Sequence, residues 1–579
     1  MKALKKKLIS ILTLVCVCCC ALLVSSSVSF SSAEVISVEG NFYTVKGAAI
    51  RLKTGESGIR YSTVVSEDFY NSILTTYGED ATVEFYTVIG SGKNFDKAKE
   101  YKASGKPTFD SVTKTYTYNE VIYYDNLESD LTEYYTSQGK SGDELTALVQ
   151  QDIKYAYATE LNAKSYVKVM PNGQQAVTID AKYNDTLRSM RGVAIDLLVS
   201  GEYNPMDKTN IESYVGGEIT VQESSEVVGH YDSTDDYGKI KVNIPVGEYT
   251  AYYGARKVGK ATITAENKEI TLDGVSGLTI GQDYPLSLYN AETNTVYKKN
   301  FKYVTKILTK ASDLAMFKIV NTWDGSKATV TSGLFDGYYV LGNDINASGY
   351  THQNGITGVD GASSRWFTTQ GFKDCGLTGT FDGNGYSISS LTIGRFGLFG
   401  LINGGTVKNL GLKAITLTGS NCTTLCWYGV DATIENIYLY LPELPNVWGR
   451  SMVASCLWTS NVNNLLIRNE QMYGDTGSGN YGSFISTNVN SGNENVNTFS
   501  NIFIIAPKAA TMTSSITVDG TNRDCENVYE GVMRWNSRED LKNNVNYLGD
   551  ETLPAIEYSS FTESGYWYLN NGYLTFGKI

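Results

Sequence analysis

The sequence predicts a mainly β protein: an N-terminal α+β module, a small β-sandwich spacer, and a C-terminal right-handed parallel β-helix, that is, a solenoid. Three observations carry this. The 579 residues include 56 Gly and 42 Tyr with 12% aromatic side chains, a composition that favours strands and turns over helices. Segments of alternating polarity, such as 82–88 and 165–170, recur through the first half and put one face on a core and the other in water. The last part repeats an asparagine-anchored pattern, and an internal repeat outranks other fold signals.

Residues 1–33 read as a secretory signal peptide. Lys2, Lys5, Lys6 and Lys7 form the charged start, residues 8–24 the apolar run, and Ser31-Ser32-Ala33 the small residues for cleavage. The mature protein is therefore expected to be secreted and extracellular or associated with the cell surface. It would touch a membrane only through this segment, if left uncleaved. Lys plus Arg is 48 against 61 acidic residues, a net charge of −13, and loss of the four leader lysines brings it to −17. So acidic a chain lacks the basic clusters that phosphate binding needs, which excludes nucleic acid as an expected partner. Four of the nine cysteines leave with the leader. The five others (Cys375, Cys422, Cys426, Cys456 and Cys525) form no Cys-x-x-Cys pair, so they read as buried thiols rather than as a zinc site or disulfide framework.

Residues 34–215 form the first module, mostly strands with short helices. A helix is predicted near 66–76 with Ser66 as its N-cap, since Glu67 and Asp68 follow in the first turn. A second is predicted over 186–199, where Leu187, Met190, Ala194, Leu197 and Leu198 share one face, with Asp185 as cap and Gly201 as stop. Gly47-Ala48-Ala49-Ile50-Arg51, Ser57-Gly58-Ile59-Arg60-Tyr61-Ser62, residues 155–161 and Arg188-Ser189-Met190 together resemble an N-terminal module of exported proteins from gut-type Gram-positive bacteria.

Residues 216–305 hold short strands at close intervals with turn signals between them, which predicts the sandwich spacer. Ile244-Pro245-Val246-Gly247-Glu248-Tyr249 is similar to the turn of immunoglobulin-like or prealbumin-like spacers. Asp232, Asp235 and Asp236 near His230 offer oxygens of the kind calcium takes, but at no EF-hand spacing. A solvated acidic loop is expected there, and no cofactor is expected for the chain.

Residues 306–579 contain the repeat. Val407-x-Asn409-Leu410-x-Leu412 recurs around Asn436, Asn464, Asn501 and, with its last apolar position lost to Glu530, around Asn527. Ile388-x-Ser390-Leu391-x-Ile393 fits with Ser in place of Asn. In a continuous strand the apolar residue two before the Asn would face away from those one and three after it. The chain must therefore bend at the Asn, which tolerates the left-handed conformation such a bend needs. A strand, an Asn bend and a second strand repeated at about 27 residues predict one coil of a parallel β-helix, and stacked Asn amides would bond along the column. A loop is predicted within the longest step, around Gly477-Ser478-Gly479-Asn480.

Gly379-Thr380-Phe381-Asp382-Gly383-Asn384-Gly385-Tyr386-Ser387-Ile388 resembles a signature of bacterial surface β-helices. Residues 397–400 and 404–412 resemble GLUG-motif segments of the same class. A short helix over 309–317 and then residues 338–345 fit the approach to such a domain, and 565–574, with Trp567, resembles its closing cap. The resemblance implies a β-helix of a Gram-positive surface protein.

Catalytic signals are sparse. The two histidines, His230 and His352, lie in no nucleophile motif; His-Glu-x-x-His and Gly-x-Ser-x-Gly are both absent. Gly139-Lys140-Ser141 lacks the first Gly of a phosphate loop, and Gly477-x-Gly479-x-x-Gly482 sits in no strand–helix unit. Parallel β-helices do host lyases and glycosidases that work with carboxylates, and Asp374, Asp382, Arg395 and Glu435 are the candidates for that chemistry. Asp382 reads better as a turn residue and Arg395 as a coil-surface residue. No pair of acids recurs at aligned positions. All seven tryptophans lie beyond residue 305, and Trp427, Trp448 and Trp458 are the candidates to stack on sugar faces. The function expected is thus non-enzymatic binding or adhesion, with glycans or surface proteins as partners. A carbohydrate-active enzyme on the β-helix and a structural envelope protein are the alternatives. No Leu-Pro-x-Thr-Gly signal ends the chain, so covalent wall attachment is not expected.

Overall fold

The computed structural model describes residues 35–103, 107–323, 328–354, 375–418, 422–442, 451–469, 483–485, 497–505, 516–518, 521–523, 545–548, 559–570 and 573–577. The leader, the loop around Gly477 and the segment around Asn527 lie outside them. The protein is mainly β, with parallel-stranded sheets in the C-terminal region. It divides into two compact units. One takes residues up to 228 with 240–275 and 284–301; the other takes 229–239, 276–283 and 302–579.

In the first unit, strand Gly58–Ser66 pairs antiparallel with Phe42–Thr44 and Thr115–Tyr123. Thr82–Ser91 pairs in the same way with Leu161–Met170. Helix Glu67–Tyr77 starts where the sequence predicts, because the Ser66 hydroxyl accepts from the Phe69 amide at 3.1 Å. The next predicted helix starts later. It runs Met190–Ser200, capped by Ser189, whose hydroxyl accepts from the Gly192 amide at 3.0 Å. Residues 186–188 stay extended because the Thr186 hydroxyl is bonded to the Ala163 backbone and the Arg188 amide donates to the Leu161 carbonyl. Asp185, read as the cap, instead pairs with Arg188 and Arg256. Two helices the pattern does not single out, Leu127–Ser137 and Gly142–Ala158, flank Gly139-Lys140-Ser141, which forms the turn between them. Farther on, Gly247–Tyr253 pairs antiparallel with Arg256–Ile263, and the Tyr249 hydroxyl closes the Pro245 turn by donating to the Pro245 carbonyl at 2.9 Å.

In the second unit the acidic loop is a clasp. Asp232 is 1% exposed; its carboxylate accepts from the amides of Thr234 and Ile307, each at 2.7 Å. Lys306 lies 3.3 Å from it and also pairs with Asp235. These bonds fix strand Lys306–Leu308, where the parallel region begins. A 3₁₀ helix, Ala311–Phe317, follows at the predicted place. Its Phe317 is fully buried and meets the ring edges of Phe335, Tyr339, Phe381 and Phe399 at 5.0–5.4 Å. It plugs the first rungs of the stack.

The chain then visits three sheets in turn. One runs in parallel through Lys306–Leu308, Tyr338–Leu341, Thr380–Asp382, Thr406–Lys413, Thr433–Leu441, Asn461–Asn469, Thr498–Ile505 and Val545–Leu548. A second includes Gly400–Asn403, Cys426–Val430 and Ser451–Trp458, and a third Thr351–Gln353, Thr392–Arg395 and Thr416–Leu417. The bends between strands stack as well. Asn409, Asn436, Asn464 and Asn501 have φ of 53°, 53°, 52° and 52°, all left-handed. The bend solves the parity problem: Val407, Leu410 and Leu412 are all fully buried, as are Ile434, Ile437 and Leu439. A second left-handed column follows the register, with Gly404, Asp431 and Thr459 at φ of 73°, 50° and 46°. Before the strands that begin at Thr380 and Thr406 the rungs come very close. A Cβ on Gly379 would meet the Gly337 carbonyl at 2.0 Å, and one on Gly405 the Leu377 carbonyl at 2.2 Å, so only glycine fits.

At the far end the place beside Thr498–Ile505 is held by Val545–Leu548, with Ile502 opposite Val545. The residue before Val545 is Asn544, so the motif spacing recurs there in a form that the missing apolar residue two positions earlier (Lys542) conceals. The hairpin of Trp567–Asn570 and Tyr573–Phe576 lies along the outward side of the first sheet rather than over its last rung. Trp567 packs edge-on to Tyr438, and Phe561 meets Phe503 at 5.6 Å. The reason is the register column Gly411–Tyr438–Leu466–Phe503, which faces outward and is too apolar to leave wet.

Candidate functional site

Trp427 is the candidate aromatic whose side chain is described. It sits at a register break: Gly400 pairs with Cys426 and Leu401 with Tyr428, so Trp427 is the extra residue between them. The bulge turns its ring to a half-buried position, edge-on to Phe396 at 5.5 Å and to Tyr428 at 6.0 Å. Phe396 is 1% exposed with φ of 63°, and the Arg395 guanidinium lies 4.5 Å from its ring centre. Sequence reading made Arg395 a catalytic candidate; here it belongs to an aromatic group. A partly exposed indole can stack on the C–H face of a sugar, and a guanidinium can bond hydroxyls or a carboxylate. Trp448 and the side chain of Trp458 lie outside the described residues; the Trp458 backbone pairs with Val430 on the neighbouring rung.

Asp382 is 6% exposed and both oxygens are engaged. Oδ2 accepts from the Tyr338 hydroxyl at 2.6 Å, and Oδ1 from the Asn384 amide at 2.8 Å and the Asn409 side chain at 2.9 Å. Burial first, and the Asp382 charge second, push the Tyr338 hydroxyl well above its ordinary range. Burial and the same charge raise Tyr566 to about 12. Glu435 is half-buried on the outward side, opposite Lys408 on one rung and Asn463 on the next. Two rungs, roughly 9.6 Å, separate its position from that of Asp382. This exceeds the carboxylate spacing of a retaining glycosidase, and both Asp382 oxygens already accept hydrogen bonds. Asp374 lies outside the described residues.

The Asn column is bonded head to tail. The side-chain amide of Asn436 donates to Asn409 at 3.1 Å, that of Asn464 to Asn436 at 3.0 Å, and that of Asn501 to Asn464 at 3.0 Å. Asn527 lies outside the described residues.

His352 is fully buried on strand Thr351–Gln353 opposite Ile393; burial, then the Lys318 charge, lower its pKa to about 4. His230 is 9% exposed and lies in the strand Val227–Asp232. Cys375, Cys422 and Cys426 are buried thiols in no disulfide, and the Cys422 Sγ donates to the Ile393 carbonyl at 3.0 Å. Among the described residues no group of three His, Cys, Asp or Glu side chains is placed to hold a metal ion, and no helix is long and apolar enough to cross a membrane.

No family model matches the chain, and no curated protein matches it. Solved structures that match include one described as "Biofilm associated protein - BSP domain", at 12% identity and a TM-score of 0.13. The match covers 46% of this chain and 53% of that one, so it spans about half of that structure, and such a score does not establish a shared fold.

Proposed function

We propose that this is an exported surface protein that binds glycans or surface partners without catalysing a reaction, and that its three parallel sheets are the faces of a closed, right-handed, GLUG-like β-helix. The closure is supported by the order in which the chain visits the sheets and by left-handed bends at several of the described transitions, such as Gly404, Asp431 and Thr459. The observation that carries the function is the Arg395–Phe396–Trp427 group, in which the indole at a register break is partly exposed and Phe396 packs against both it and the Arg395 guanidinium. The enzymatic alternative is less supported, because both oxygens of the best-placed carboxylate, Asp382, already accept bonds from Tyr338, Asn384 and Asn409. The test is a glycan array with the full chain beside Trp427→Ala. Loss of signal in the variant supports the reading, whereas turnover of a polysaccharide that a single carboxylate substitution abolishes would replace it with the enzymatic one.

A further inference from the structure

The first parallel sheet carries a polar face that neither the Trp427 group nor the C-terminal hairpin uses. The register aligns Thr380 with Thr406, Thr406 with Thr433, Thr433 with Asn461, and Asn461 with Thr498. The next residue on each of these strands (Phe381, Val407, Ile434, Val462 and Phe499) is buried, so the column before it points outward. The three inner threonines are half-buried, and Asn461 and Thr498 are exposed. Two residues on, a second outward column includes Lys408 and Glu435 on adjacent rungs. The result is a grid with a repeat of ~4.8 Å along the stack and roughly 6.6 Å across it.

The fold treats the two halves of this sheet differently. Beyond the Asn bend, the apolar column Tyr438–Leu466–Phe503 is covered by the C-terminal hairpin. Before the bend, the hydroxyl and carboxamide column lies outside the cluster that hairpin forms, and towards its far end side-chain bonds join the rungs. The Thr498 hydroxyl donates to Asn461 at 3.0 Å and the Ser500 hydroxyl to Asn463 at 2.7 Å. Hydroxyls and carboxamides held at a fixed repeat can exchange bonds with a polymer whose own hydroxyls recur at a similar length. An extended chain of pyranose rings repeats on about the length of one rung. The charges select among such chains: Asp382, Lys408 and Glu435 on successive rungs leave one net negative charge, so the face matches a neutral polymer better than a uronate.

We infer that the face headed by Thr380, Thr406, Thr433, Asn461 and Thr498 is a docking surface for a neutral, linear polysaccharide laid along the stack. This rests on the glycan-binding reading above but names a different surface from the Trp427 group. One polymer unit meets each rung, so affinity grows with chain length and each hydroxyl contributes a modest share.

The test is calorimetric titration of the full chain with cellohexaose, laminarihexaose and mannohexaose, their disaccharides, and hexagalacturonate as the charged control. The variants are Thr406→Val with Thr433→Val, which keeps β-branched shape and removes two hydroxyls, and Trp427→Ala. A neutral hexasaccharide is expected to bind at least about tenfold more tightly than its disaccharide. The double valine variant, with an unchanged circular dichroism spectrum, should weaken the hexasaccharide by about tenfold, on the scale of two lost hydrogen bonds. Full affinity in the valine variant with loss in Trp427→Ala would overturn this inference and leave the glycan-binding reading standing. Binding of no glycan would remove both. Tighter binding of hexagalacturonate would overturn the charge argument, and light scattering that showed dimers dependent on Thr406 and Thr433 would reassign the face to self-association.

Discussion

The side-chain amide of Asn409 donates to the Asp382 carboxylate at 2.9 Å, so the asparagine column ends on a negative charge. Each amide further along donates towards that end. Aligned amide dipoles point their positive ends at the carboxylate, and hydrogen bonds in such a chain polarise one another. Asp382 thereby sets the direction in which every asparagine of the column is oriented.

Removal of that charge tests the arrangement. Asp382→Ala leaves the Tyr338 hydroxyl, the Asn384 amide and the Asn409 amide without their acceptor. A cost of about 2–3 kcal/mol is expected from buried donors left unpaired. Because all seven tryptophans lie beyond residue 305, urea unfolding followed by tryptophan fluorescence reads this region selectively. An unchanged midpoint would show that the carboxylate does not anchor the column.

Asn436 separates backbone strain from side-chain bonding. At φ of 53°, Asn436→Ala suffers the left-handed penalty of about 1–2 kcal/mol and also loses its amide bonds. Asn436→Gly loses the bonds but relieves the strain, at the cost of backbone entropy. The glycine variant should therefore be the less damaged of the two in the same urea assay. Equal loss in both variants would mean that conformation is not what selects Asn there.

Gly405→Ala should be more damaging than either, by at least about 3 kcal/mol, because its methyl would stand 2.2 Å from the Leu377 carbonyl and the rungs would have to part. A soluble Gly405→Ala protein with wild-type thermal stability would refute the close approach.

His352 gives the C-terminal region a definite acid response. Its pKa falls from an ordinary value of 6.5 to about 4 in the fold. Between these two values the unfolded chain binds a proton that the folded chain refuses, so stability falls as pH drops through this window and levels off below it. The full effect is about 3 kcal/mol. Stability measured from pH 7 to pH 4 should show this slope, and His352→Gln should remove that component. A slope unaltered in the variant would assign the acid sensitivity to other groups.

Much of the C-terminal architecture was legible because it is written in local chemistry. The three apolar positions around each Asn are inconsistent with one straight strand, and the left-handed bend that resolves this is a property of the residue itself. Ser66 as a helix cap and the helix before Phe317 were legible for the same reason, since a cap and its first turn are neighbours in sequence. The helix predicted from 186 failed because Thr186 is pinned by a strand more than twenty residues away, which no local period records. That Val545–Leu548 pairs with Thr498–Ile505 was not legible, because pairing depends on which segment returns to that edge.

What the sequence by itself determined is the mainly β composition, the positions of the bends and the inward set of apolar residues, because side-chain period and left-handed tolerance are fixed within a few residues. Only the tertiary structure decided that Asp382 terminates the asparagine column, that the C-terminal hairpin lies along the sheet, and that Thr380, Thr406, Thr433, Asn461 and Thr498 fall in one line. Those relations join residues some 25 or more positions apart through strand register, and register is set by how successive rungs bury their shared core.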